Sequence, residues 1–247
     1  MKYELMFPDQ IRNAIDNNTP VVMALGVIEY HAEHLCTGVD TQVVQGALEL
    51  LDKEMDLVLL PPFWFGAGSY AVAAPERKGG IHIDSDVLNM FARKLFYNLL
   101  RIGFRNIHVF YHHQSENFAS GMPNDLAFRL AAKQEIFDFL DKERGEGWWG
   151  EDLASANYYA EHDAGTDPFN WIRVEPFMSA EAQAQWPIDH AGKQETSLMM
   201  AFCPEGVDMQ RFDDKYWYAK HAPEANMDYA NKAKVFIMND LKNRLSK

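Results

Sequence analysis

Pro20-Val21-Val22-Met23-Ala24-Leu25-Gly26-Val27 is a short, nearly continuous apolar run. Such a run reads as a strand buried on both faces, as parallel sheets require. The residues beyond it fit the same frame. From 41 to about 55, Val43, Val44, Ala47, Leu48 and Leu51 recur at helical spacing. Leu57-Val58-Leu59-Leu60 is a second buried strand, stopped by Pro61-Pro62, and a loop rich in glycine and aromatics runs on to about residue 82. Asp84 or Ser85 can cap the next helix, which carries Val87, Leu88, Phe91, Leu95 and Leu99 on one face and ends at Gly103. Ile107-His108-Val109-Phe110-Tyr111 is a third strand, and a helix follows over about 124–143. The alternation predicts an α/β fold with a mainly parallel central sheet flanked by helices. Residues 145–187 look irregular, with one short helix near 179–186, and two helices close the chain near 193–202 and 224–245. A long irregular stretch of this kind suggests a lid or a subunit contact.

The chain has 247 residues, 47% of them hydrophobic, enough for one domain with its own core. Two cysteines, Cys36 and Cys203, are too few for a disulfide framework, and a reducing cytoplasm is the expected compartment. The N-terminus lacks the pattern of a signal peptide, and no apolar stretch approaches the ~20 residues that cross a bilayer. With 36 acidic against 23 basic residues the formal charge is −13, which argues against nucleic acid as a partner.

Three polar clusters punctuate the apolar pattern. Glu29-Tyr30-His31-Ala32-Glu33-His34-Leu35-Cys36-Thr37-Gly38-Val39-Asp40 follows the first strand, and His112-His113-Gln114-Ser115-Glu116-Asn117 follows the third. Asp189-His190-Ala191-Gly192-Lys193-Gln194-Glu195-Thr196 opens a late helix. Open parallel sheets bind ligands beyond the carboxyl ends of their strands, so the first two clusters are expected side by side. Imidazole with carboxylate suits zinc, manganese or iron, and the lack of thiolates argues against a closed structural zinc site. From the residues alone, a metal site and ordinary polar loops with helix caps both stay open.

The same clusters resemble, in order, the signature blocks of the creatininase (creatinine amidohydrolase) family. The first is Gly26-x-x-Glu29-x-His31-x-x-His34-Leu35 with Asp40. Gly103-Phe104-Arg105 before a strand ending in His113 and Asn117 is the second, and Asp189-His190-Ala191-Gly192-x-x-Glu195-Thr196-Ser197 the third. The resemblance implies one creatininase-like domain over 1–247 and two divalent ions per subunit (Zn, Mn or Fe). Glu29, Asp40 and His113 would hold one ion; His31, Asp40 and Glu195 would hold the other, with Asp40 bridging. His190 would be the general acid/base. Glu116 would lie near the metal-bound water, and Trp186 would cover the substrate unless it is a core aromatic. Counting from Gly103 favours His113 over His112 as ligand, and His34 would orient a ligand rather than be one.

The implied reaction is hydrolysis of a C–N bond in a small amide, cyclic or open, by hydroxide activated between the ions. The alternatives are hydrolytic C–C cleavage of a cyclic keto-sugar or diketone at the same metals, and a non-catalytic metal-binding scaffold. A small-molecule substrate and a homo-oligomer, hexamers being common in the family, are implied as well. Between the ligands the text changes. His31-Ala32-Glu33-His34-Leu35-Cys36 stands where the family commonly reads His-Gly-Pro-His-Leu-Pro, so a substrate other than creatinine is expected. Arg77 and Lys78 read as a surface pair or as a carboxylate-binding pair.

Overall fold

In a computed structural model, which describes residues 1–113, 121–151 and 153–246, strand β1 (Val21–Leu25) lies buried along its whole length. It is preceded by a short helix α1 (Pro8–Asp16) and followed by α2 (Val39–Leu51), β2 (Val58–Leu59), α3 (Ser85–Ile102) and β3 (Ile107–Tyr111). Then come α4 (Pro123–Arg144), α5 (Trp148–Glu151), α6 (Tyr158–Ala164), β4 (Ile172–Pro176), α7 (Ala180–Gln185), α8 (Lys193–Phe202) and α9 (Met227–Leu245). The sheet order is β2-β1-β3-β4, and every pairing is parallel.

Alternation along the strands divides the core into two layers. Val22, Ala24, Leu59 and Phe110 pack with α2, α8 and α9 on one face. Val21, Met23, Leu25, Val58, Ile107, Val109 and Tyr111 pack with α3 and α4 on the other. A strand that faces helices on both sides is apolar at nearly every position, which is why β1 and β3 stand out in the sequence, His108 being the polar exception in β3. The chain leaves β1 toward β2 on one side and later returns to β3 on the other. The loops after β1 and β3 therefore diverge, and a crevice opens between them at the carboxyl edge.

The predicted α/β fold with a parallel central sheet is the observed one. Several elements differ from the sequence expectation, α5 and α6 within 145–187 among them. The irregular stretch 145–187 contains β4, an edge strand hydrogen-bonded in register with β3 (Val109 opposite Val174). Its sequence Ile-Arg-Val-Glu-Pro carries charges and ends in proline, as edge strands do, and so lacks the apolar run that marks β1. Helix α1 is set by Pro8 at its first position and by Gln10, whose Oε1 accepts the Phe7 amide at 2.8 Å. Nothing in the sequence reading assigned it. Helix α9 starts at Met227 rather than near 224, because Asn226 caps it by accepting the Tyr229 amide at 3.0 Å. Among the described residues no helix is long and apolar enough to cross a membrane.

Candidate metal centre

Polar side chains from the loops after β1 and β3 and from the first turns of α2 and α8 converge at the crevice. Gly26, directly after β1, allows the strand to abut the start of α2: a Cβ there would lie 2.4 Å from Thr41 Oγ1 and 2.6 Å from the Thr41 amide nitrogen. The loop that follows carries Glu29 and His31, both buried. Asp40 stands in the first turn of α2 and Glu195 in the first turn of α8, where the positive end of a helix favours a carboxylate. His113 lies just past β3. The late block is shaped by Asp189, whose carboxylate accepts the amides of Gly192 (3.2 Å), Gln194 (2.7 Å) and Glu195 (3.2 Å). Burial, with the nearby Glu195 charge, pushes Asp189 up to about 6.

The side chains meet at short range. His31 Nε2 lies 3.6 Å from Asp40 Oδ2, 3.5 Å from Glu195 Oε2 and 3.9 Å from Glu29 Oε1. His113 Nδ1 lies 3.4 Å from Glu29 Oε1 and 3.7 Å from Asp40 Oδ2. Among the described residues three groups offer ligand atoms all within 4.8 Å of one another: Glu29 with Asp40 and His113; His31 with Asp40 and Glu195; and Glu29 with His31 and His190. Asp40 belongs to the first two. Both oxygens of Glu29 and of Asp40, Glu195 Oε1 and His31 Nε2 are buried with no hydrogen-bond partner among the described residues. A buried carboxylate left without donors is costly, and a divalent cation is the partner such a set of atoms fits. The protein atoms thus suit a metal.

Backbone carbonyls fix the imidazoles. The Glu29 carbonyl can only accept, so His31 Nδ1 donates to it across 3.2 Å and Nε2 is left as a lone pair facing the carboxylates. By the same logic His190 Nε2 donates to the Tyr30 carbonyl at 2.9 Å, and Nδ1 faces Glu29 Oε1 at 3.6 Å. Its ring stacks on His31 with centroids 4.4 Å apart. His34 meets Thr196 Oγ1 at 3.0 Å and stands behind the carboxylates. His112 reaches Glu195 Oε1 at 3.4 Å but joins none of the three groups.

Burial alone would raise Glu29 and Glu195. The facing imidazoles outweigh it and hold both below the ordinary carboxylate range. Burial likewise opposes charge on His31 and His113, yet Asp40 with Glu195 and Glu29 raises the first, and Asp40 with Glu29 raises the second well above its usual value.

Beside His190 opens a cavity of about 600 Å³, walled by Val72, Ile188, Tyr216, Trp217 and Tyr218. Trp186, expected over the substrate, does not line it. The residue closes α7, and its ring packs on Phe236 of α9 with centroids 5.4 Å apart, as a core aromatic does. Glu116 lies outside the described residues. Lys78 is bound at the lip, its Nζ donating to Glu33 Oε1 at 2.6 Å and to the Tyr30 hydroxyl at 3.1 Å. The sequence reading passed over the aromatic wall. Its one signal was the run Tyr216-Trp217-Tyr218, which carries no ligand pattern.

Fold and site together define an α/β protein with a candidate metal centre at the switch point of a parallel sheet. The family model described as "Creatinine amidohydrolase" matches residues 4–237. A creatinine amidohydrolase of Pseudomonas putida is 24% identical over 200 residues, covering 78% of this chain and 68% of that protein. A mutant creatininase of Zn-Zn type superposes with a TM-score of 0.70 at 15% identity, covering 98% of this chain and 95% of that one. A creatininase in a Mn form gives 0.68 at 16% identity, over 99% and 96%. The chain belongs to the creatininase family.

Proposed function

We propose that this protein is a metal-dependent hydrolase that cleaves a C–N bond in a small, uncharged amide. The observation that carries the proposal is the set of orphaned carboxylate oxygens of Glu29, Asp40 and Glu195 beside an oriented, acid/base-competent His190. Glu29, Asp40 and His113 would hold one divalent ion and His31, Asp40 and Glu195 a second, with Asp40 shared. When bound, such ions supply a hydroxide near neutral pH and polarise a carbonyl. Solved creatininases described as Zn-Zn and Mn forms support zinc or manganese here.

The chain's own groups do the rest. Glu29 and Glu195, ionised by their surroundings, keep the centre ready for cations without waiting for deprotonation. His190, its Nε2–H tied to the Tyr30 carbonyl, would take up a proton at Nδ1, on the side facing Glu29, and give it to the departing nitrogen. The exposed apolar positions Met90 on α3 and Leu130 on α4 (62% and 54% exposed) support assembly into a homo-oligomer.

Metal analysis of protein purified without chelators, followed by assay on a panel of lactams, formamides and cyclic ketones, tests the proposal. More than about one ion per chain and amine or ammonia release from an amide are expected. Cleavage of ketones alone would move the reaction to C–C bonds, and a fully metallated protein inert to the panel would make it a scaffold.

A further inference from the structure

Cys36 and Cys203, far apart in sequence and outside the ligand groups, meet at one glycine. A Cβ built on Gly206 would lie 2.9 Å from Cys36 Sγ and 3.7 Å from Cys203 Sγ, so the two sulfurs flank the space where any other residue would carry its side chain. Gly206 is not among the glycines with positive φ, so crowding by the sulfurs and by Met199 Cε, rather than backbone conformation, keeps the position bare. Backbone hydrogen bonds hold the two segments together. The Cys36 amide donates to the Gly206 carbonyl at 2.9 Å, the Gly206 amide to the Cys203 carbonyl at 3.0 Å, and Leu35 pairs with Val207 as an antiparallel bridge. The thiols differ in their access to solvent. Cys203 is buried, whereas Cys36 is half-buried and lines a cavity of about 300 Å³. Burial, with the Glu205 charge close by, pushes Cys203 up to about 11, so it rests as a thiol.

We propose that Cys36 is an oxidation site, and that it closes a reversible disulfide with Cys203 when the protein meets hydrogen peroxide. Access sets the order of events. The Cys36 sulfur, as thiolate, attacks one peroxide oxygen; the O–O bond breaks, the departing hydroxide takes a proton to become water, and Cys36 is left as a sulfenic acid. The Cys203 sulfur then attacks the Cys36 sulfur. The S–O bond breaks, the leaving hydroxide takes the Cys203 proton as a second water, and the S–S bond forms. Two thiols have lost two electrons and peroxide has gained them. The bond fastens the loop that leads from His31 into Asp40 to the end of α8, whose first turn carries Glu195. It closes a loop that spans most of the chain, and a long closure takes more freedom from the unfolded state than a short one. Dithiol reductants reopen it by exchange, as befits a transient bond rather than a permanent staple.

Treatment of the full-length, as-purified protein with hydrogen peroxide, followed by a thiol count under denaturing conditions, tests this without requiring turnover. The count should fall from two per chain to none and return with dithiothreitol, and peptide mapping without reductant should find the Cys36 and Cys203 peptides joined within one chain. In Cys203→Ser, dimedone should capture Cys36 as a sulfenic acid, whereas Cys203 in Cys36→Ser should be captured at least about tenfold more slowly. Oxidised wild type should melt at least about 4 °C above the reduced form. Cys203→Ser treated in the same way should show no such gain, which separates the bond from methionine oxidation. Two thiols that survive peroxide while a small-molecule thiol in the same tube is consumed would overturn the proposal. So would a bond between chains instead of within one, capture of Cys203 in preference to Cys36, or an unchanged Tm.

Discussion

Asp40 and His190 do different work although they sit in one nest, and single substitutions separate them. Asp40→Asn removes the charge shared by two ligand groups, and elemental analysis should find its metal content reduced to less than about half of wild type. His190→Gln should keep its metal while turnover falls about 10²- to 10⁴-fold, as read by steady-state kinetics on whichever amide the panel identifies. Removing the metal exposes a pH signature. In the metal-free protein His31 and His113 bind protons more tightly folded than unfolded, so their contribution is complete below the ordinary value of 6.5 and is lost as pH rises through the raised folded values. Glu29 and Glu195 act oppositely, contributing above the ordinary 4.5 and losing it as pH falls through their depressed values. Metal-free Tm should therefore be highest between about 4.5 and 6.5 and fall as pH rises through the raised imidazole values, whereas metal-loaded protein, with its imidazoles already deprotonated, should not show the alkaline fall. The polar centre was legible in the sequence because histidines and carboxylates crowd just after apolar runs. The aromatic wall of Tyr216, Trp217 and Tyr218 was not, since such a run carries no ligand pattern.

Helices α2 and α8 carry Asp40 and Glu195, so their separation sets the width of the centre. Gly46 in α2 lies against the C-terminal turn of α8, where a Cβ would be 2.3 Å from the Phe202 carbonyl oxygen. That atom is backbone and cannot swing aside. Gly46→Ala should push the helices apart, destabilise the fold by about 1–3 kcal/mol in urea denaturation, and lower metal affinity although it touches no ligand. Elements of this kind were read from sequence to differing depths. Strand β3 and helix α8 match the sequence expectation residue for residue, one as a short apolar run and the other opened by the polar block. Strand β4 escaped because pairing on one edge only asks for little apolar character, leaving Arg173 and Glu175 where alternation would be sought.

For the molecule as a whole, the exposed face of α3 and α4 is where assembly would be felt. If the homo-oligomer forms there, Leu130→Asp should convert it to monomer in size-exclusion chromatography with light scattering, leaving metal content unchanged. An unaltered oligomer would place the contact elsewhere. The centre itself joins segments drawn from residues 29 to 195, and the helix packed behind Glu195 runs to Leu245. On the ribosome this order has a plain consequence. The first ligands emerge long before the last, and a nascent chain cannot close the nest until α8 is made and α9 has docked on it. Early divalent capture by the half-formed loop after β1 would be weak and reversible, so a metal would bind after the fold forms, as a seal on a finished chain rather than a seed for it.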